Sequence, residues 1–421
     1  MNWILRARTL APLGRPPLDD AALVISGERI TALGRWRNIR RVHTGPVTDL
    51  GEVLLLPGLI NAHCHLDYTH MAGLFPPPKN FCDWIKSITF EKSLWSAEEF
   101  AASWRDGAGM LLRNGTTTVA DVETVPALLP DLWHATPLRV FSFLEMTGVR
   151  SRRDPGAILR ETAAKILSLP CDPRCRAGLS PHAPYSTTPA LLRESARLAR
   201  RHRWRLVTHI AESAPEFEMF RHARGDMFDW LRRNERDMAD CDGVSPVQHA
   251  ERCRLLGPNL LAIHVNYLAP GDAALLARRR VHVVHCPRSH DYFGHAPFPF
   301  RTLARAGVNV CLGTDSLATV RKPPRAQVEL NLFAEMRAFA AAHPHTAPET
   351  LLRMVTVNPA RALGLAGRLG QFKPGAWADA IALPFEGPLR DALEAAVHHT
   401  GPVGASLIAG RWALPPGGLK R

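Results

Sequence analysis

The chain has 421 residues, more than the ~100–200 of an ordinary single domain, which is enough for a large core and for a barrel carrying an added module. With 46% hydrophobic and 22% charged residues it is neither disordered, collagen-like nor coiled coil, and no run approaches ~18 uninterrupted apolar residues. The net charge of +13 suggests nucleic acid, but only 7 of the 52 basic residues are Lys and no nucleic-acid motif surrounds the Arg runs, so solvated faces are expected, with an anionic small substrate left open.

In chain order, the first segment holds only Trp3-Ile4-Leu5 as an apolar run, so no signal peptide or membrane span is expected and a cytoplasmic location is. Residues 1–57 read as short strands and turns, with strands at Trp3–Arg6, Ala22–Ser26 and Arg29–Leu33. Eight apolar or β-branched runs follow: Leu54–Leu66, Thr116–Glu123, Arg139–Met146, Arg176–Ala183, Arg205–Glu212, Leu260–Leu268, Val281–Pro287 and Val308–Asp315. Amphipathic stretches lie between them, among them Ala97–Arg113, Pro189–His202 and Arg301–Ala306. Continuous apolar strands alternating with helices predict a parallel (β/α)8 barrel, because strands buried on both faces lose their period-two pattern. Residues 368–421 return to short strands, at Ala378–Leu383, Ala405–Ile408 and Arg411–Leu414. The eight cysteines form no disulfide framework and are expected as free thiols; Cys171 and Cys175, spaced CxxxC without a second pair, are not expected to bind zinc.

Barrel active sites lie at the C-terminal strand ends, and here those ends are rich in histidine. The first run ends Asn61-Ala62-His63-Cys64-His65, the fifth Thr208-His209-Ile210-Ala211-Glu212, the sixth Ile263-His264 and the eighth Gly313-Thr314-Asp315-Ser316. An HxH pair alone means little, since His343-Pro344-His345 is another in a Pro-containing loop. His63 and His65 differ because they end an apolar strand, where alternate side chains share a face and both rings reach one divalent ion, with His209 and Asp315 converging on it. Water on such an ion is a nucleophile at neutral pH and needs a proton carrier. Glu212, three residues after His209, is the candidate, with His264 and Asp315 expected to hold the water and stabilise charge.

The motifs PGLINAHCH, THIAES, AIHVNYL, HCPRS, CLGTDS, VTVNPARALGL and GQFKPGAWADAIAL, in that order, make the chain resemble the amidohydrolase superfamily over nearly its whole length. Motif by motif it is similar to the deaminase and chlorohydrolase branch, which includes adenosylhomocysteine, guanine and aminodeoxyfutalosine deaminases. The resemblance implies an α/β fold: a distorted (β/α)8 TIM barrel over 58–367, with a composite β-sandwich built from 1–57 and 368–421. It also implies His63, His65, His209 and Asp315 as ligands, Glu212 as proton shuttle and His264 as polarising group. Two-metal relatives bridge their ions with a carboxylated Lys at the end of strand 4, but strand 4 here ends Ser180-Pro181-His182 and the nearest upstream lysine, Lys165, lies in a helical stretch. One divalent ion is therefore expected, zinc first and iron as the alternative.

The expected reaction is hydrolytic deamination of an aminated purine nucleoside or related heterocycle, with chloride displacement or cyclic amide hydrolysis as same-class alternatives and a non-catalytic or nucleic-acid-binding barrel as the different-class alternative. Asp67 and Thr314-Asp315-Ser316-Leu317-Ala318 look closest to aminodeoxyfutalosine deaminase. His182, Trp84 and His290 are expected to contact substrate, with lesser expectations for His295 and for Arg288 as partner of an anionic group. Expected partners are a small molecule and, through the resemblance, further copies of the chain, with neither nucleic acid nor membrane.

Overall fold

The computed structural model describes residues 2–148 and 154–417. Its first strands are longer than the sequence pattern predicts: Asn2–Leu10 pairs antiparallel with Leu18–Ser26, which pairs antiparallel with Arg29–Arg35. Asn2–Leu10 also runs parallel to Val47–Asp49 and Val53–Pro57. From the other end of the chain, Ala380–Pro384 pairs with Val53–Pro57, then Ala405–Ile408 and Arg411–Leu414 complete one mixed eight-stranded sheet. Leu5, Leu23, Ile25, Leu55, Ala380 and Leu407 bury one face of it. The two chain ends thus form the composite β-sandwich module.

Eight parallel strands form the barrel: Leu59–Cys64, Thr116–Glu123, Arg139–Met146, Arg176–Pro181, Leu206–Ile210, Leu260–His264, His282–His285 and Asn309–Leu312. Most of their residues are buried, and Ile60, Val122, Phe143, Val207, Ile263 and Val284 fill the interior. Helices pack outside with their own stop signals. Ala97–Arg113 starts with a capping box between Ser96 and Glu99, and Pro189–His202 starts on Thr188 and ends where Arg203 turns left-handed. Module and barrel are joined by an ion pair, Arg139 Nε to Asp379 Oδ2 at 2.8 Å, with both side chains 2% exposed.

The first apolar run serves two sheets rather than one. Val53–Pro57 belongs to the terminal sheet and Leu59–Cys64 to the barrel, with the switch at Pro57-Gly58. A Cβ at Gly58 would overlap the Thr117 side chain, so glycine lets the strand cross close to its neighbour. The later strands stop earlier than the pattern predicts, because the backbone leaves extended geometry where the polar residues begin. Ala211, His264, Val265 and Asp315 have φ of 53°, 70°, 51° and 54°. Non-glycine residues in this region each cost about 1–3 kcal/mol, and such strain gathers at functional sites.

Closure of the barrel occurs at the C-terminal end of its first and last strands. The amides of Thr314 and Asp315 both donate to the His63 carbonyl, at 3.0 and 3.2 Å, and Cys64 bridges to Asp315. Asn61 Nδ2 donates to Thr314 Oγ1 at 2.7 Å, and Asn61 Oδ1 accepts from the Thr314 amide at 3.1 Å. A Cβ on Gly313 would lie 2.8 Å from the His63 oxygen, so this approach requires glycine. Among the described residues no helix is long and apolar enough to cross a membrane. Gly313→Ala is expected to lose about 1–3 kcal/mol of stability, as overpacking does, and to bind metal more weakly. Urea denaturation and metal titration of the variant check both.

Candidate active site

The closure places His63, His65 and Asp315 around one point. Asp315 Oδ1 lies 3.6 Å from His63 Nε2 and 3.8 Å from His65 Nε2. The His209 ring centroid is 5.0 Å from that of His63 and 5.6 Å from that of His65. His264 stacks against His209 at 5.5 Å, and Glu212 Oε1 is 3.3 Å from His264 Nε2. All six residues predicted for the catalytic core therefore converge, and all six are buried.

Their neighbours orient them. Asp315 turns its Oδ2 away from the centre to accept from Ser289 Oγ at 2.7 Å and Thr319 Oγ1 at 3.3 Å. His209 Nδ1 meets the His182 carbonyl at 2.9 Å, which leaves its Nε2 for the centre. The amide of Leu66 donates to Asp121 Oδ1 at 2.9 Å and the Trp104 indole to Asp121 Oδ2 at 2.8 Å, anchoring the chain just beyond His65.

The donor set fits a divalent cation. Both ring nitrogens of His63 and Nδ1 of His65 are buried without a hydrogen-bond partner among the described residues, a costly arrangement for polar atoms unless something binds them. Three imidazoles and a carboxylate match the nitrogen and oxygen donors that zinc-like ions take. Among the described residues two groups of donors lie within 4.8 Å of one another, His63 with His209 and His264, and His63 with His65 and Asp315, so His63 is common to both. Burial pushes the His65 and His264 rings down to about 3, and His209 also well down, so these imidazoles are neutral and able to donate a lone pair. Burial opposes ionisation of Asp315, but His63, His264 and His65 outweigh it and hold the carboxyl well below its usual range.

Glu212 is opposite in character: burial, then Asp315 and Glu216, raise its carboxyl well above the usual value. A carboxyl that holds a proton readily is suited to moving one. Its place is set by Glu216, whose two oxygens accept from the amides of Ala211 at 3.1 Å and Glu212 at 2.8 Å. Ser213 in turn caps the helix Ala214–His222 by accepting from the Glu216 amide. Glu216 is absent from the sequence reading, although Ser213-x-x-Glu216 has the spacing of a capping box and could have marked it. Here the glutamate serves the active-site loop rather than the capping residue.

The three expected substrate contacts are placed differently from one another. His182 sits beside the centre, its ring 4.8 Å from His209 and its Nδ1 2.6 Å from Ser186 Oγ. Trp84, on the helix Phe81–Leu94, packs against Phe293 at 5.0 Å and Phe81 at 6.0 Å, forming an aromatic wall. His290 Nδ1 is 3.1 Å from Asn266 Oδ1, and Asn266 Nδ2 donates to the Glu212 carbonyl at 2.9 Å, so His290 supports the loop bearing Glu212. His295 pairs with Tyr267 at 3.3 Å. Arg288 does not offer a free cation as expected, because its Nε pairs with the buried Glu335 at 2.5 Å and its Nη2 donates to the Glu329 carbonyl at 3.0 Å.

A second charged group was not anticipated. Lys92 Nζ lies 3.6 Å from Glu145 and 4.8 Å above the Tyr68 ring, which is itself stacked on His65 at 5.1 Å. Burial alone would raise the Glu145 carboxyl, but Lys92, then His182 and His65, bring it down to about 2. Its carboxylate is therefore an ionised acceptor near the centre.

Known proteins are similar to this chain over most of its length. Residues 54–400 match the model of the amidohydrolase family. A relative from Syntrophobacter fumaroxidans, named 5-methylthioadenosine/S-adenosylhomocysteine deaminase, is 33% identical over 393 residues, covering 90% of this chain and 83% of that protein. The fold is similar to that of an adenosine deaminase from Xanthomonas campestris with bound zinc, at TM-score 0.85 and 24% identity, covering 98% of this chain and 93% of the other. It is also similar to aminofutalosine deaminase of Helicobacter pylori, at TM-score 0.83 and 20% identity, covering 98% and 100%. With its barrel, its histidine-rich strand ends and a family match over most of its length, this chain belongs to the amidohydrolase family and is a metal-dependent hydrolase.

Proposed function

We propose that the chain deaminates an adenine nucleoside carrying a 5′-thioether, with one zinc ion held by His63, His65, His209 and Asp315. The observation that carries this reading is the Glu212 carboxyl, buried and 3.3 Å from His264 Nε2, beside a cluster of neutral imidazoles and one carboxylate. The naming of the relative from Syntrophobacter fumaroxidans supports the substrate class. A single ion is favoured because Lys165, the nearest lysine upstream of the fourth strand's end, lies on the helix Pro155–Ser168 and donates to the Leu129 carbonyl at 2.7 Å.

When bound, a divalent cation supplies activation of water at neutral pH. The residues of the chain do the rest. Water forms a C–O bond to the carbon bearing the amine, and Glu212 takes a water proton and passes it to the adjacent ring nitrogen. His264 and Asp315 hold the attacking water by hydrogen bonds while charge builds on it. A second water proton goes to the amine, the C–N bond breaks and ammonia leaves. His182 and the Trp84 wall face the base, while Glu145, ionised beside Lys92, suits hydrogen bonds from sugar hydroxyls. His290 acts through Asn266 to position Glu212. Eight free thiols suit a reducing cytoplasm.

Ammonia release by the zinc-loaded protein from 5′-methylthioadenosine, S-adenosylhomocysteine and aminodeoxyfutalosine tests the reading, with chloride release from a chlorotriazine as the rival outcome. Ammonia from a nucleoside is expected; chloride alone, or neither, contradicts it. Glu212→Gln is expected to keep its metal and lose at least ~10²-fold in turnover, as when a general acid/base is removed. Glu216→Gln should keep its metal and lose up to ~10²-fold in kcat through misplacement of Glu212. Metal analysis beside steady-state kinetics of both variants separates these effects from loss of the ion.

A further inference from the structure

Two arginine runs in the sequence play no part in the reaction, Arg201 to Arg205 and Arg278 to Arg280. The fold carries both to the N-terminal end of the barrel, opposite the candidate centre. Arg205 immediately precedes the fifth strand, and from Arg205 to His209 the chain advances about 13 Å at strand rise. Arg205, Arg361 and Arg280 all act on His282, the first residue of the seventh strand, which burial and these charges push down to about 4.

A cavity of about 630 Å³ opens at this end, a size that accepts a drug-sized ligand. Its lining combines apolar Phe141, Trp204 and Leu363 with Arg176, Arg203 and Arg205. Glycine makes room for Arg205 there, because a Cβ at Gly364 would overlap Arg205 Nη2. Arg205 Nη1 donates to the Pro258 carbonyl at 2.7 Å, which holds the guanidinium in place.

Several other arginines have carboxylate partners, as in Arg139 with Asp379, Arg236 with Asp240 and Arg288 with Glu335. Arg205 and Arg176 have none among the described residues, and their charges oppose each other. The one acid in the lining, Asp172, is engaged by the amides of Arg174 and Cys175 and by the Arg174 side chain at 3.9 Å. The exposed Arg176 and the half-buried Arg205 thus leave two like charges in the lining of one cavity, an anion with several oxygens would relieve their repulsion, and planar guanidinium groups suit phosphate oxygens.

We propose that this cavity is a second ligand site, taking a phosphate ester of the nucleotide class, with its phosphate on Arg176 and Arg205 and its base against Trp204 and Phe141. The site is independent of the reaction at the opposite end. Uridine 5′-monophosphate is a suitable probe because it has no exocyclic amine to hydrolyse. In calorimetric titration at fixed ionic strength it is expected to bind once per chain, at least ~10-fold more tightly than inorganic phosphate. Arg176→Gln, on an exposed side chain, and Arg205→Ala are each expected to weaken binding by ~10-fold or more, as loss of a charge-assisted contact does, with metal content unchanged. Binding should survive removal of the metal by a chelator. No binding, equal affinity for inorganic phosphate, unchanged affinity in Arg176→Gln, or loss of binding on metal removal would each overturn the proposal.

Discussion

The candidate centre depends on how the barrel closes. The His63 carbonyl accepts from the amides of both Thr314 and Asp315, so the side chains of residues about 250 positions apart in sequence are delivered to one point. Gly313 permits that approach, and the buried Asn61–Thr314 pair locks its register. The same contacts that seal the sheet set the His63 to Asp315 distance at 3.6 Å. Barrel integrity and donor geometry are therefore one property, since a shift in strand register would move the donors apart as it opened the ladder.

The second constraint is burial. Burial keeps the His65 and His264 rings neutral with their lone pairs, whereas the Asp315 carboxyl is held well below its usual range, by the His63 side chain first. Glu212 lies within the same enclosed space but beside Asp315 and Glu216, so repulsion joins burial in raising it. Two carboxylates a few positions from metal-type donors are thus driven in opposite directions, which separates a structural ligand from a proton carrier. Glu216 keeps Glu212 in this setting by binding two successive amides of its loop.

Much of this was legible in the sequence because its signals are local. Thr116–Glu123 and Arg139–Met146 end where their apolar runs end, and the helices Ala97–Arg113 and Pro189–His202 follow their periodicity and caps. His63, His65, His209, His264 and Asp315 were readable because each closes such a run. The division of Leu54–Leu66 between two sheets was not, since apolar character does not say which sheet a residue joins. Arg288 misled for a related reason: an arginine in a loop reads as free until the buried Glu335, 47 positions later, packs against it. Lys92 and Glu145 were invisible as a pair because only the packing of a helix over the third strand brings them together.

The most direct test of this account is anomalous diffraction at the zinc edge from crystals of the zinc-loaded protein. One peak per chain is predicted, within about 2.0–2.2 Å of donor atoms on His63, His65, His209 and Asp315. Two peaks, or a single ion held elsewhere, would contradict the claim that barrel closure builds a one-ion hydrolytic centre.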